Sequence, residues 1–287
     1  MNQSPTAAKA APELTFTVSA RQEKSSPIER LSRSNGFMAV ASPVLLLILW
    51  ESAVRLGVLD SRFFPAPSAV VRAMGELVIN GELFVHLQWT IQRVLVGFAL
   101  GAIPGVLLGI IMGLSPFLRA FLRPAIASVY PIPKIALFPL IMMIFGLGEV
   151  SKWVIVAVAV FFQVVLTTLA GVVNIESIYL DVARNFKARR WQMYKTVAFP
   201  AALPFIFNGC QLGLGMALIV VVVAENFGAT SGIGFLIWRS WQVFEVTDMY
   251  VGILAVALLG FLLQLVLGWI ERLVIPWKLG ASSSGRM

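Results

Sequence analysis

The chain has 287 residues, 59% of them hydrophobic and only 13% charged, about half the charged share of an ordinary soluble domain. Its mean hydropathy is +0.87, so the composition is that of a membrane protein rather than of one large soluble core. The net charge of +8 is spread in a way that nucleic-acid binding does not require. One cysteine, Cys210, and one histidine, His86, exclude an intrachain disulfide and a His/Cys metal cluster. No G-x-S-x-G is present for a serine hydrolase, and no cofactor is implied.

Residues 1–35 are polar and of low complexity. They read as a flexible cytoplasmic tail, because little apolar area offsets the cost of ordering, and they lack a signal-peptide layout. Six apolar segments follow, each near the ~20 residues a spanning helix needs: about 37–58, 91–114, 121–147, 150–173, 203–226 and 249–274. The third is broken by Pro131, Pro133 and Pro139. Strands of a barrel would alternate apolar with polar residues, and these segments do not. The expected fold is all-α: a polytopic bundle of six transmembrane helices. Residues 36–276 form the membrane domain and 277–287 a short cytoplasmic tail.

Two further segments read as interfacial. Residues 65–87 predict a short outer helix after Pro67, with Ser68 as N-cap and a turn at Asn80–Gly81. Residues 227–247 combine three glycines with an amphipathic half and read as a re-entrant or surface segment on the outer side. Of the 22 Lys and Arg residues, fifteen fall on segments that are inner if the N-terminus is inside. Six fall on outer ones (Arg55, Arg62, Arg72, Arg93, Lys152 and Arg239), with Lys134 within a span. This bias predicts both termini in the cytoplasm.

The same orientation puts "YLDVARNFKARRWQMYKTVAFPAALP", residues 179–204, on the cytoplasmic side between spans four and five. Ile178, Val182 and Phe186 recur at four-residue intervals and share a face. After a break near Lys187 and Ala188, Trp191, Tyr194 and Val197 recur at threes. Pro200 and Pro204 mark the exit into span five. The segment reads as a helix–turn–helix knob of a size to fit a cleft in a partner.

This stretch resembles the cytoplasmic loop of permeases from bacterial ABC importers, written E-A-A, three residues, G, about nine residues, I-x-L-P. Asp181 stands at the Glu position, Val182 and Ala183 at the small positions, and Phe199–Pro200 at Leu-Pro. Lys187 stands where the family has its glycine, so it either takes left-handed backbone or the turn is differently shaped. "FFPAPSAVV", "HLQWTIQRVLVGF", "PIPKIALFPLIMMIFGLGEVSKW" and "VVAENFGATSGIGFLI" resemble, in that order, the branch importing sulfonates, taurine, nitrate and bicarbonate. The similarity covers roughly residues 37–275.

The resemblance implies a type I importer permease in the bacterial inner membrane, itself no enzyme. Its implied partners are a second permease copy, as a homodimer, a cytoplasmic ABC ATPase dimer, and a periplasmic or lipid-anchored solute-binding protein. Membrane lipid surrounds it, and nucleic acid plays no part. The loop residues implied to meet the ATPase are Asp181, Ala183, Arg184, Lys187, Ala188, Trp191 and Pro200. The basic residues Arg184, Lys187, Arg189 and Arg190 read either as that contact or as topology signals facing anionic lipid. The implied solute is a sulfonate, taurine, nitrate or similar anion, with a pyrimidine vitamin precursor or an aromatic acid as the alternative.

Polar residues within spans are candidates for the pathway. Lys134 reads either as a cation attracting an anionic solute or as a side chain snorkelling to headgroups. Glu225 reads as a gate, as the partner of a basic residue, or as an interfacial carboxylate. Asn208 and Gln211, three residues apart, either line the pathway or bond across helices. Gly97, Gly101, Gly105, Gly109 and Gly113 recur every four residues and predict close helix packing, within the subunit or between copies. An intramembrane enzyme would need clustered Asp, Glu or His, which the spans do not offer by inspection. A solitary channel or exporter leaves the cytoplasmic knob without a purpose.

Overall fold

The computed structural model describes residues 35–175 and 194–277, with 178, 185–187, 189 and 192 between them. Contacts divide the chain into two units, residues 1–50 and 51–287. A helix, α1 (Asn35–Arg55), begins in the first unit and ends in the second. In the second unit follow α2 (Pro67–Ile79), α3 (Glu82–Leu114), α4 (Pro116–Val129), a 3-10 turn (Lys134–Leu137), α5 (Phe138–Phe145) and α6 (Glu149–Val173). After the loop region come a π-helical turn (Tyr194–Ala198), α7 (Phe199–Glu225), α8 (Ile233–Gln242) and α9 (Val246–Val274). The described residues contain no strand.

Four helices, α3, α6, α7 and α9, are long and apolar enough to cross a membrane. The segment from α4 to α5 makes a fifth candidate, bent by 85°. The bend has a local cause. Pro131 and Pro133 remove two amide donors and disfavour helix in the residues before them. Pro139, expected to add a third break, instead sits in the first turn of α5, where its missing N–H is not needed.

The centre of the bundle is α6, half of whose apolar stretch is buried. The glycines of α3 explain why. A Cβ at Gly97 would strike Val156, at Gly101 Val160 and the Ala157 carbonyl, and at Gly105 Val164. A Cβ at Gly109 would strike Thr168, and at Gly113 Val172. Each side-chain partner lies 59 positions on, so two rows of four-residue period mesh in one register. Close backbone approach between small residues is the packing force where lipid supplies no hydrophobic drive. The stripe therefore packs within the subunit, the alternative that spacing left open.

A constant offset means that α3 and α6 run parallel. The chain between them must then travel back along the bundle, and the bent α4–α5 segment does so. Against α7 the register reverses, with Gly171 at Phe205, Gly209 at Thr167 and Gly213 at Val160. Helix α9 is antiparallel to α7, with Gly260 against Leu218 and Gln264 donating to the Gln211 carbonyl (3.0 Å). The end of α6, the start of α7 and the C-terminal end of α9 thus share one end of the bundle. The start of α3, the end of α7 and all of α8 occupy the other.

Three boundaries differ from expectation. Helix α3 starts at Glu82, nine residues before the expected span, because Gly81 (φ 80°) makes the turn and its 33 residues run on unbroken. Ser68 is not an N-cap, and Ala66 holds that place. The carboxylate of Glu51 receives both the Ser68 N–H (3.0 Å) and its hydroxyl (2.7 Å), doing a cap's work from the preceding helix. Residues 227–247 are a loop followed by α8, whose Ile233, Gly234, Leu236 and Ser240 are buried.

Candidate functional site

At the end of the bundle that holds α8, four elements bring charged groups together out of water. Helix α3 contributes His86, Thr90 and Arg93, which follow one another at i, i+4 and i+7 on one face, with Gly97 a turn further on. Helix α6 contributes Glu149 and Lys152 in its first turn, and α7 contributes Glu225 in its last. The loop into α8 contributes backbone.

Arg93 is 1% exposed and Glu225 has no exposed surface at all. The Arg93 guanidinium donates through Nε and Nη2 to the two oxygens of Glu149 (2.6 and 2.7 Å). Through Nη1 it donates to Glu225 (2.9 Å) and to the Ser231 carbonyl (2.6 Å), while its face lies 5.4 Å from the Trp89 ring. The planar fork of arginine suits such a bridge, and a lysine in its place would not. The Lys152 ammonium donates to the Leu147 and Gly148 carbonyls (both 3.2 Å) and stands 3.7 Å from Glu149. Two cations and two carboxylates leave the cluster neutral, which limits the cost of burying it.

The start of α8 is tied into the same cluster. Its first amide groups have no acceptors within their own helix. The Gly232 N–H donates to His86 Nδ1 (3.0 Å), the Ile233 N–H to Thr90 Oγ1 (2.8 Å), and the Gly234 N–H to Glu225 Oε2 (2.8 Å). The Thr90 hydroxyl in turn donates to Glu225 (2.8 Å). Three successive donors are thus capped by side chains of two other helices. Gly232 is required here: its φ of 123° is rarely open to other residues, and a Cβ would collide with the Glu225 carboxylate.

The sequence-predicted residues fare differently. Glu225 does pair with a basic residue, but it presents nothing to solvent in this conformation. Lys134 is 8% exposed. Its ammonium donates to the Ile132 carbonyl (2.8 Å) and also to those of Tyr130 and Val129, and lies 4.7 Å from the Phe162 ring. It supplies the donors that the proline break took away. Gln211 donates to Glu271 of α9 (2.8 Å), and Asn208 is exposed. Lys187 adopts φ 53°, the left-handed choice of the two left open. Pro200 lies in the first turn of α7. Asp181, Ala183, Arg184, Ala188 and Trp191 lie outside the described residues.

Sequence reading gave no site role to His86, Thr90 or Glu149, and counted Arg93 and Lys152 only as outer-segment charges. The spans do contain a charged cluster, contrary to expectation. Its members come from distant positions and satisfy one another, so it has the make-up of a structural lock rather than of a reactive centre. The signal available was the i, i+4, i+7 spacing of three polar residues on an otherwise apolar helix.

Parallel glycine-zipped helices, a proline-bent crossing and a neutral buried ion lock define a polytopic α-helical membrane protein of the permease class. Residues 105–278 match the family described as "Binding-protein-dependent transport system inner membrane component", and the chain belongs to that family. It is a transport component, not an enzyme, and a multi-pass protein of the inner membrane. The SsuC permease protein of Bacillus subtilis, named for aliphatic sulfonates transport, is 33% identical over 236 residues, 82% of this chain and 86% of that one. The taurine transport system permease protein TauC of Escherichia coli is 31% identical over 245 residues, 84% of this chain and 89% of its own. The riboflavin transport system permease protein RibX of Chloroflexus aurantiacus is 31% identical over 235 residues, 82% and 88% of the two chains. Among solved structures, the MetNI methionine ABC transporter, in inward-facing conformations, gives a TM-score of 0.57 at 20% identity, covering 70% of this chain and 98% of that one. That likeness is one of fold.

Proposed function

We propose that two copies of this chain form the pathway of an ABC importer for a small organic sulfonate or related anion. In this reading residues 175–200 dock on a cytoplasmic ATPase dimer, and a periplasmic or lipid-anchored protein delivers the solute. The observation that carries it is the match to sulfonate- and taurine-named permeases over more than four-fifths of the chain. The bundle supports the reading, because the end of α6 that leads into that segment and the Arg93 lock lie at opposite ends. A motor at the loop end would then act on an outer gate through the length of α6 and α7.

With α1 as the sixth crossing, the N-terminal tail and the C-terminus share the cytoplasmic side, as the Lys and Arg bias implies. Asn208, exposed on α7, faces the pathway, while Gln211, one turn further along, joins α7 to α9 through Glu271. Lys134 and Glu225 support its walls. The RibX match favours a second reading, in which the solute is a heteroaromatic vitamin.

Uptake by proteoliposomes holding the permease, its ATPase and its binding protein tests both readings. ATP-driven accumulation of taurine or an alkanesulfonate is expected, and accumulation of riboflavin alone would select the second. Asp181→Lys and Trp191→Ala are each expected to leave the permease in the membrane but lower solute moved per ATP at least about tenfold. Unchanged coupling in both would overturn the docking role.

A further inference from the structure

The cap on α8 contains one member that a proton can remove. Thr90 and Glu225 accept with oxygens, but the Gly232 N–H is received by a ring nitrogen, Nδ1 of His86. An imidazole accepts through that nitrogen only while it is unprotonated, and imidazolium is a donor at both positions. Histidine is also the side chain whose unperturbed charge change falls between pH 5 and 8.

The surroundings give the proton a route and a place. His86 is itself buried, yet its Nε2 lies 3.8 Å from Glu82 on the same helix, whose side chain is 39% exposed. Arg239 of α8 approaches the same carboxylate oxygen, 3.5 Å from it. Glu76 of α2, Glu82, Glu245 and Arg239 lie about Asp248 of α9. The charges acting on the ring are the Glu82 carboxylate and, opposing it, the Arg239 guanidinium. Phe235 of α8 is the apolar neighbour, with ring centroids 6.0 Å apart. The capped segment has hinges, since Gly228 (φ 65°) and Gly232 (φ 123°) bracket residues 229–231.

We propose that His86 is a proton-operated latch on the N-terminus of α8. In neutral form it holds the Gly232 amide and pins the loop to α3. On taking a proton from solvent it sets a donor against that amide, turns to Glu82, and lets residues 228–232 shift about the Ser231 carbonyl, which Arg93 still holds, while Thr90 and Glu225 keep the rest of the cap. The acid form is the released form. The latch does not depend on the identity of the solute.

The test uses the full chain, purified with its partner subunits, carrying Cys210→Ala and Thr230→Cys. Thr230 is exposed. The new thiol is labelled at pH 7.5 with an environment-sensitive dye that does not itself titrate, and emission is followed from pH 8 to 5. A single sigmoidal step is expected. His86→Gln keeps an acceptor that cannot be protonated, and the step is expected to vanish. Glu82→Gln removes the carboxylate that favours the charged ring and is expected to lower the midpoint by about half a pH unit or more. It also serves if His86→Gln fails to fold. A flat titration of the parent protein, an unaltered step in His86→Gln, or an unmoved midpoint in Glu82→Gln would overturn the latch.

Discussion

Arg93 shows how one side chain sets the character of a site. It meets two carboxylates and a carbonyl from three elements, so removing it strands Glu225, which has no exposed surface, out of water. Arg93→Met is expected to destabilise the protein by about 3–5 kcal/mol, the usual cost of breaking a buried pair from one side, read as a fall in thermal unfolding temperature in detergent. Adding Glu225→Gln to it is expected to cost less than the sum of the two changes, because the uncompensated charge goes with it. Lys187 illustrates the opposite case, a residue at odds with its own backbone. A left-handed conformation costs an L-residue about 1–2 kcal/mol, and glycine's greater chain entropy returns part of that. Lys187→Gly is therefore expected to gain about 0.5–1 kcal/mol, seen as about two- to fivefold slower hydrogen exchange at residues 186–189.

At the scale of elements, the pairing of α3 with α6 is decided by what glycine leaves out. Gly101→Val would drive a branched side chain into the Ala157 carbonyl, which belongs to backbone and cannot give way. It is expected to cost at least about 3 kcal/mol and to yield a polydisperse protein on size exclusion. Gly75→Ala in α2 is the control: nothing lies within 4 Å of the added Cβ, and the helix gains about 0.8–1 kcal/mol of propensity. The four-residue period of the stripe was visible in the sequence, but its partner was not. Spacing names a face, and only packing says what covers it. The third span teaches the same lesson: its prolines announced a break, yet the use of Lys134 to satisfy the broken turn depends on where three carbonyls point. The start of α3 at Glu82 was missed because residues 82–90 are too polar to read as membrane helix, while continuity of hydrogen bonding carries the helix through them.

For the whole molecule, the registers fix the order of crossings. Parallel α3 and α6 force a return through α4–α5, and antiparallel α7 and α9 follow, so five passes lead from one end of the bundle to the other between residues 82 and 274. Apolar run lengths, the proline punctuation, the small-residue stripe and the importer-like loop motif were determined by the sequence alone. Each depends on residues close along the chain, and lipid imposes the same rule on all of them: long apolar helices with satisfied backbones. The buried lock was decided only by tertiary structure. The groups that Arg93 binds lie 56 to 138 positions away, and a charge read in isolation looks like a loop residue until folding brings its opposite within 3 Å.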